Sequence, residues 1–169
     1  LKRIEVHHRL QRFSMTQSPP SPLLKHPAFQ GLSEEASARL TQGSRALRFE
    51  LGQLLCEPGT IPARILVLLQ GQARLLSRHN GRLTSVGKFG PGSVIGAASL
   101  LTAQPCENVI AADEVVAFAI PDDLWSDLYG SETSFRDWCD QQLWPQELLN
   151  LLEVVDDKRA ETSSSPLEG

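Results

Sequence analysis

GPGSVIGAASLLTAQPCENVIAADE, residues 90–114, decides how this chain is read. It holds glycine and alanine where a chain usually places bulky core residues. Gly96 to Leu101 carries too little turn chemistry for a strand and reads as one or two helical turns, and the segment from Glu107 reads as a strand again. A short glycine-led helix therefore interrupts whatever lies on either side of it.

On both sides lie strands. From Arg45 onward, ALRFELG, QLLCEPG, ARILVLLQG, QARLLSRHNG, RLTSVGKFGPG, ENVIAAD and EVVAFAI are short apolar-rich segments, each closed by or running into Gly, Pro, Asn or Asp. Such a ladder predicts a mainly β fold, a jelly-roll barrel of about eight short strands. Its strongest turn is His79-Asn80-Gly81, where Asn-Gly accepts the positive φ angles of a tight hairpin and makes QARLLSR and RLTSVGKF antiparallel neighbours.

Helices flank the ladder. Ser33 is the expected N-cap of a helix with Glu34 and Glu35 in its first turn, Ala36 and Leu40 on its apolar face and Gly43 as its stop. After Ile120, PDDLWSDLYG begins with proline and two acids at a helix start. SETSFRDWCDQQL then places Phe135, Trp138, Cys139 and Leu143 on one helical face, and PQELLNLLEVV predicts a further helix with leucines on more than one face. The expected organisation is a flexible arm over 1–22, a folded domain over 23–155 including the C-terminal helices, and a polar linker or tail over 156–169. Residues 1–14 precede Met15, the only methionine, and read as sequence upstream of a natural start.

Composition narrows the function. A net charge of −4 with scattered Lys and Arg argues against a nucleic-acid partner. No run of about 18 apolar residues is present, so no direct membrane insertion of this segment is expected. The widely spaced Cys56, Cys106 and Cys139 point to a reducing, cytoplasmic setting. The barrel segment has only His79 among its histidines, and no Ser-His-Asp or Cys-His set emerges, so neither catalysis nor a metal is expected.

A helix, a ladder of short strands broken by a glycine-led helix, and more helices resembles the cyclic nucleotide-binding domains of bacterial regulators and of eukaryotic kinases and channels. HPAFQGLSEE, LGQLLCEPG with Gly52 and Gly59, ILVLLQGQARLL with Gly71 at the bend, and NGRLTSVGKFGPGSVIG carry the resemblance, which covers residues 23–130. It implies a regulatory sensor whose cassette meets a cyclic phosphate with backbone N–H groups at the short helix. An arginine then neutralises the phosphate, and a glutamate accepts a hydrogen bond from the ribose.

Laid on that cassette, Gly92 and Gly96 fall on its glycines, Ser99-Leu100-Leu101 on its small-Leu-Leu run, and Val109 and Ala111 on the following strand. Ala97 stands at the glutamate and Pro105 at the arginine. The family positions for a ligand are Gly96, Ala97, Ala98, Ser99, Pro105, Cys106, Glu107 and Asn108. A charge-assisted hydrogen bond contributes about 1.5–3 kcal/mol, so the missing contacts imply an affinity lower by roughly two to four orders of magnitude. Strand alternation would set Glu107 beside the phosphate position, where it repels an anion, unless a bulge at Pro105 turns it to solvent. Arg74, Arg78 and Arg82 are the candidate replacements on neighbouring strands.

The expectation is thus a regulatory domain of a longer protein with a degenerate cassette and no cofactor. The alternative is a functional receptor for a cyclic nucleotide or another small anion. A Trp-Pro helix like QQLWPQELLNLL is similar to that following weakened cassettes in bacterial peptidase-containing ABC exporters, which implies the cytosolic N-terminal part of an inner-membrane protein. The implied partners are effector domains in the same chain, with a homodimer through the C-terminal helices as a further expectation.

Overall fold

The computed structural model describes residues 21–79, 81–105 and 108–144. The proposed helix after Pro145, residues 1–20 of the expected arm and the tail lie outside the described residues, as do Asn80, Cys106 and Glu107.

The described chain opens with two 3-10 turns, Pro22–Lys25 and Pro27–Phe29, followed by helix α1, Glu34–Gly43. Strands β1 Arg45–Phe49, β2 Leu54–Cys56, β3 Arg64–Gln70, β4 Ala73–His79, β5 Arg82–Phe89 and β6 Val94–Ile95 precede helix α2, Ala97–Thr102. Strands β7 Asn108–Ala111 and β8 Val115–Pro121 then lead into helices α3 Asp122–Ser131 and α4 Thr133–Asp140. The eight strands form two antiparallel four-stranded sheets, ordered β1-β8-β3-β6 and β2-β7-β4-β5. The expected mainly β jelly roll is the fold observed.

The first sheet is covered on both faces, which accounts for the continuous apolar run ILVLL. Leu66 and Leu68 of β3 point between the sheets with Phe49, Leu75, Val109 and Ala117, whereas Ile65 and Val67 point outward onto the helices. The second sheet is solvated on its outer face: Ala73 and Leu75 of β4 are buried, and the intervening Arg74 is exposed. His79 pairs with Arg82 across the β4–β5 connection, where Gly81 takes φ +76°, so the expected hairpin is present.

An aromatic cluster joins the helices to the first sheet. Phe29, Trp125 of α3 and Phe135 of α4 are fully buried, with Trp125 and Phe135 edge to face at 4.8 Å between ring centroids and Phe29 stacked on Phe135 at 5.6 Å. Burying each such side chain contributes roughly 1.5–3 kcal/mol. A polar clasp lies beside them. The Ser33 hydroxyl accepts from the Ala36 N–H and donates to Glu132 Oε1 at 2.8 Å, and the Ser33 N–H donates to Oε2. The α1 start is thereby capped and fixed to the α3–α4 junction.

Several local expectations change. Gly43 is the last residue of α1 rather than a left-handed stop, and Ser44 is the C-cap, its N–H bonded to Leu40 O. A Cβ at Gly43 would meet Leu124 Cδ2 at 2.7 Å, so this glycine serves close packing. Leu143 lies beyond the end of α4 and is 80% exposed, because the helix stops before the turn that would have brought it onto the face of Phe135 and Cys139. Ser21 and Pro22, at the end of the expected arm, cap and begin the first 3-10 turn, which buries Leu23. The two-residue strand β6 is too short to leave an alternation pattern in the sequence.

Candidate ligand cassette

The cassette is assembled around a short β-strand and a short helix. Val94 and Ile95 pair with Val67 and Leu66 of β3, which sets Gly96 against the start of that strand. Gly96 takes φ +94°, and a Cβ there would lie 3.3–3.4 Å from Pro62 Cγ, the Arg64 carbonyl oxygen and Ile65 Cδ1. Left-handed backbone and close approach therefore both select glycine.

Helix α2 begins at once, with the Leu100 N–H donating to Gly96 O at 3.1 Å. It ends at Ala103, which is left-handed at φ 53°, while the Gln104 N–H returns to Ser99 O at 3.0 Å. The turn before β6 is tied to the N-terminal segment by His26. Its Nδ1 accepts from the Ala28 N–H, which leaves the proton on Nε2 to be donated to Gly92 O at 2.8 Å.

Gly96, Ala97, Ala98 and Ser99 stand together at the start of α2. Ala97 is 0% exposed, and Ala97 and Ala98 belong to the core between sheet and helices, with Ile65, Ile120 and Trp125. Ser99 is also buried. Pro105 is exposed and lies in no strand, and Asn108 opens β7 half-buried opposite Leu76. Cys106 and Glu107, and with them the expectation of a carboxylate beside the phosphate position, lie outside the described residues.

Residues 90–105 contain no charged side chain. The candidate replacements stand elsewhere: Arg74 alternates with the inward Ala73 and Leu75 and is exposed, Arg78 is exposed and donates to Gly81 O, and Arg82 is exposed. The cassette's described side chains thus offer apolar packing, the Ser99 hydroxyl and the Asn108 amide, with no charge for an anion. Two residues without a role in the sequence reading, Arg45 and Arg64, do stand on inward-facing strand positions. The signal was available in their phase with Leu47 and Phe49 and with Leu66 and Leu68.

The model of the cyclic nucleotide-binding domain family matches residues 46–132, from β1 through α3 and across the whole cassette. The chain belongs to this family. No curated protein matches it. Among solved structures, the cyclic nucleotide-binding fold recurs in the regulatory subunit of a cAMP-independent protein kinase A from Trypanosoma brucei, with a TM-score of 0.65 and 20% identity over 76% of this chain and 48% of that one. The Trypanosoma cruzi regulatory subunit bound to guanosine has a TM-score of 0.65 and 19% identity over 78% and 48% of the two chains. The Thermus thermophilus catabolite activator protein has 0.58 and 19% over 81% and 63%. The chain therefore spans about half the length of the kinase subunits it matches.

Proposed function

We propose that this cyclic nucleotide-binding domain is a non-catalytic regulatory module of a longer protein, whose cassette keeps the family's backbone form without holding cAMP or cGMP tightly. The observation that carries this is Ala97: at the position where the family resemblance expects a glutamate, the side chain is apolar and packed into the core. An uncharged 90–105 segment with Pro105 in place of the arginine adds to it.

The similar trypanosome subunits support such a role, since one is described as cAMP-independent and another is bound to guanosine. A triple mutant of the T. brucei protein, one of whose substitutions introduces an arginine, is bound to cAMP. The effector domains would lie in the same longer chain, and the Trp-Pro segment at Trp144 favours a bacterial peptidase-containing ABC exporter, with this domain on the cytosolic side.

Calorimetric titration with cAMP, cGMP, cyclic dinucleotides and guanosine tests the reading. The mononucleotides are expected to bind with Kd of about 1 mM or weaker, and a Kd below about 10 μM for cAMP or cGMP would overturn it.

A further inference from the structure

Arginines on sheet strands normally stand on the solvated face, as Arg74 and Arg78 do here. Arg45 and Arg64 break that pattern. Arg45 is in phase with Leu47 and the buried Phe49 on β1, and Arg64 with Leu66 and Leu68 on β3, so both arise on the face that farther along each strand forms the core between the sheets. Both are exposed because they sit at the open end of that space.

The pairing fixes their relation. Strand β8 runs between β1 and β3, with Ala119 opposite both Arg45 and Leu66, and Pro121 opposite Arg64. Arg64 thus lies two strands across and two residues along from Arg45, about 12 Å away, a distance that two long side chains can close on one ligand. They line one cleft of about 500 Å³, floored by Ala119 and Pro121 and bounded by Ser44. Arg64 also borders an adjoining cleft of about 410 Å³, where Leu47, Phe49 and Leu54 supply an apolar wall. Both are open surface clefts with room for a small organic anion.

Charge completes the picture. Arg39 and Arg48, the latter also lining the 410 Å³ cleft, are paired with Asp127 and Glu114 at 2.9 and 2.8 Å. Arg45 and Arg64 have no carboxylate partner among the described residues. Glu57 borders a third cleft with Arg64 and does not line the other two.

We propose that this open end of the sandwich is an anion-binding cleft, separate in its side chains from the cassette. It takes a small organic anion whose phosphate or carboxylate group lies between Arg45 and Arg64 and whose apolar body lies toward Leu47 and Leu54. Guanidinium groups suit either anion because their forked N–H donors match paired oxygens. The site does not rest on the cassette's being degenerate.

The test is calorimetric titration at low ionic strength with pyrophosphate for phosphate chemistry and citrate for carboxylate chemistry, on the unaltered chain and on R45Q, R64Q and R74Q. All three positions are exposed, and circular dichroism checks that each variant folds. Saturable binding of at least one probe is expected, weakened about tenfold or more by R45Q and by R64Q and by less than about twofold by R74Q. The probe that binds more tightly identifies the anion class. Failure of both probes to saturate below about 10 mM, or an equal loss in R74Q and R64Q, would overturn the proposal. Binding of an acidic peptide but of neither small probe would overturn it as well.

Discussion

At Ala97 the sequence difference becomes a structural one. Its side chain has no exposed surface and touches the helix-side core, so a glutamate placed there enters an apolar environment. Ala97→Glu is expected to lower stability by about 3 kcal/mol or more in urea titrations at pH 7. Burial raises the new carboxyl's pKa in the folded state, so the loss should be smaller near pH 4 and grow as the pH rises. An equal loss at both pH values would place the new side chain in solvent. Gly71 makes a second residue-scale case. It is left-handed at φ +82°, and a Cβ would collide with the Glu114 carbonyl oxygen, whereas Gly52 at φ +83° has open space around it. Gly71→Ala should therefore cost about 3 kcal/mol or more and Gly52→Ala about 1–2 kcal/mol, compared by chemical denaturation.

Among the elements, α4 packs on α3 and on the second 3-10 turn, and α3 packs on β3 and β8. Phe135 meets both Phe29 and Trp125, so Phe135→Ala is expected to cost about 3–5 kcal/mol by urea denaturation. Cys139, one helical turn on, is buried, and that burial with the nearby Asp140 pushes its thiol up to about 12. The folded state keeps this proton when the unfolded chain has lost it. Its contribution to stability is therefore full below the ordinary thiol range and falls as pH rises from there through about 12. Alkylation of Cys139 at pH 8 should be slow in the folded protein and rapid in urea, which mass-resolved labelling would measure. Fast labelling of the native chain would show α4 leaving α3.

For the whole molecule, the prediction concerns ligand linkage. Anything that binds the folded state at 100 times its Kd raises stability by about 2.7 kcal/mol. If the cassette holds cAMP only at millimolar Kd or weaker, 1 mM cAMP should contribute no more than about 0.4 kcal/mol and move Tm by no more than about 2 °C. An upward shift of 5 °C or more would restore the receptor reading. The open end of the sandwich, with Arg45 and Arg64, and the apolar cassette are different surfaces of one fold, and each ligand series tests one of them.

Much of this protein is determined locally and so is written in its sequence. Ser33 with two following acids starts α1, Gly81 closes the β4–β5 hairpin, and the period-two segments become strands because propensity, alternation and turn residues act within a few positions of one another. Even the residue types at positions 97 and 105, which the family resemblance sets against a glutamate and an arginine, are local. Tertiary structure decided the rest. Only the helical layer explains why β3 is apolar on both faces, only Trp125 and its neighbours make Ala97 a core position, and only the pairing of β1 and β3 with β8 brings Arg45 and Arg64 to one cleft. Burial and convergence are properties of surfaces brought together from distant parts of the chain, and no local pattern records which surface will arrive.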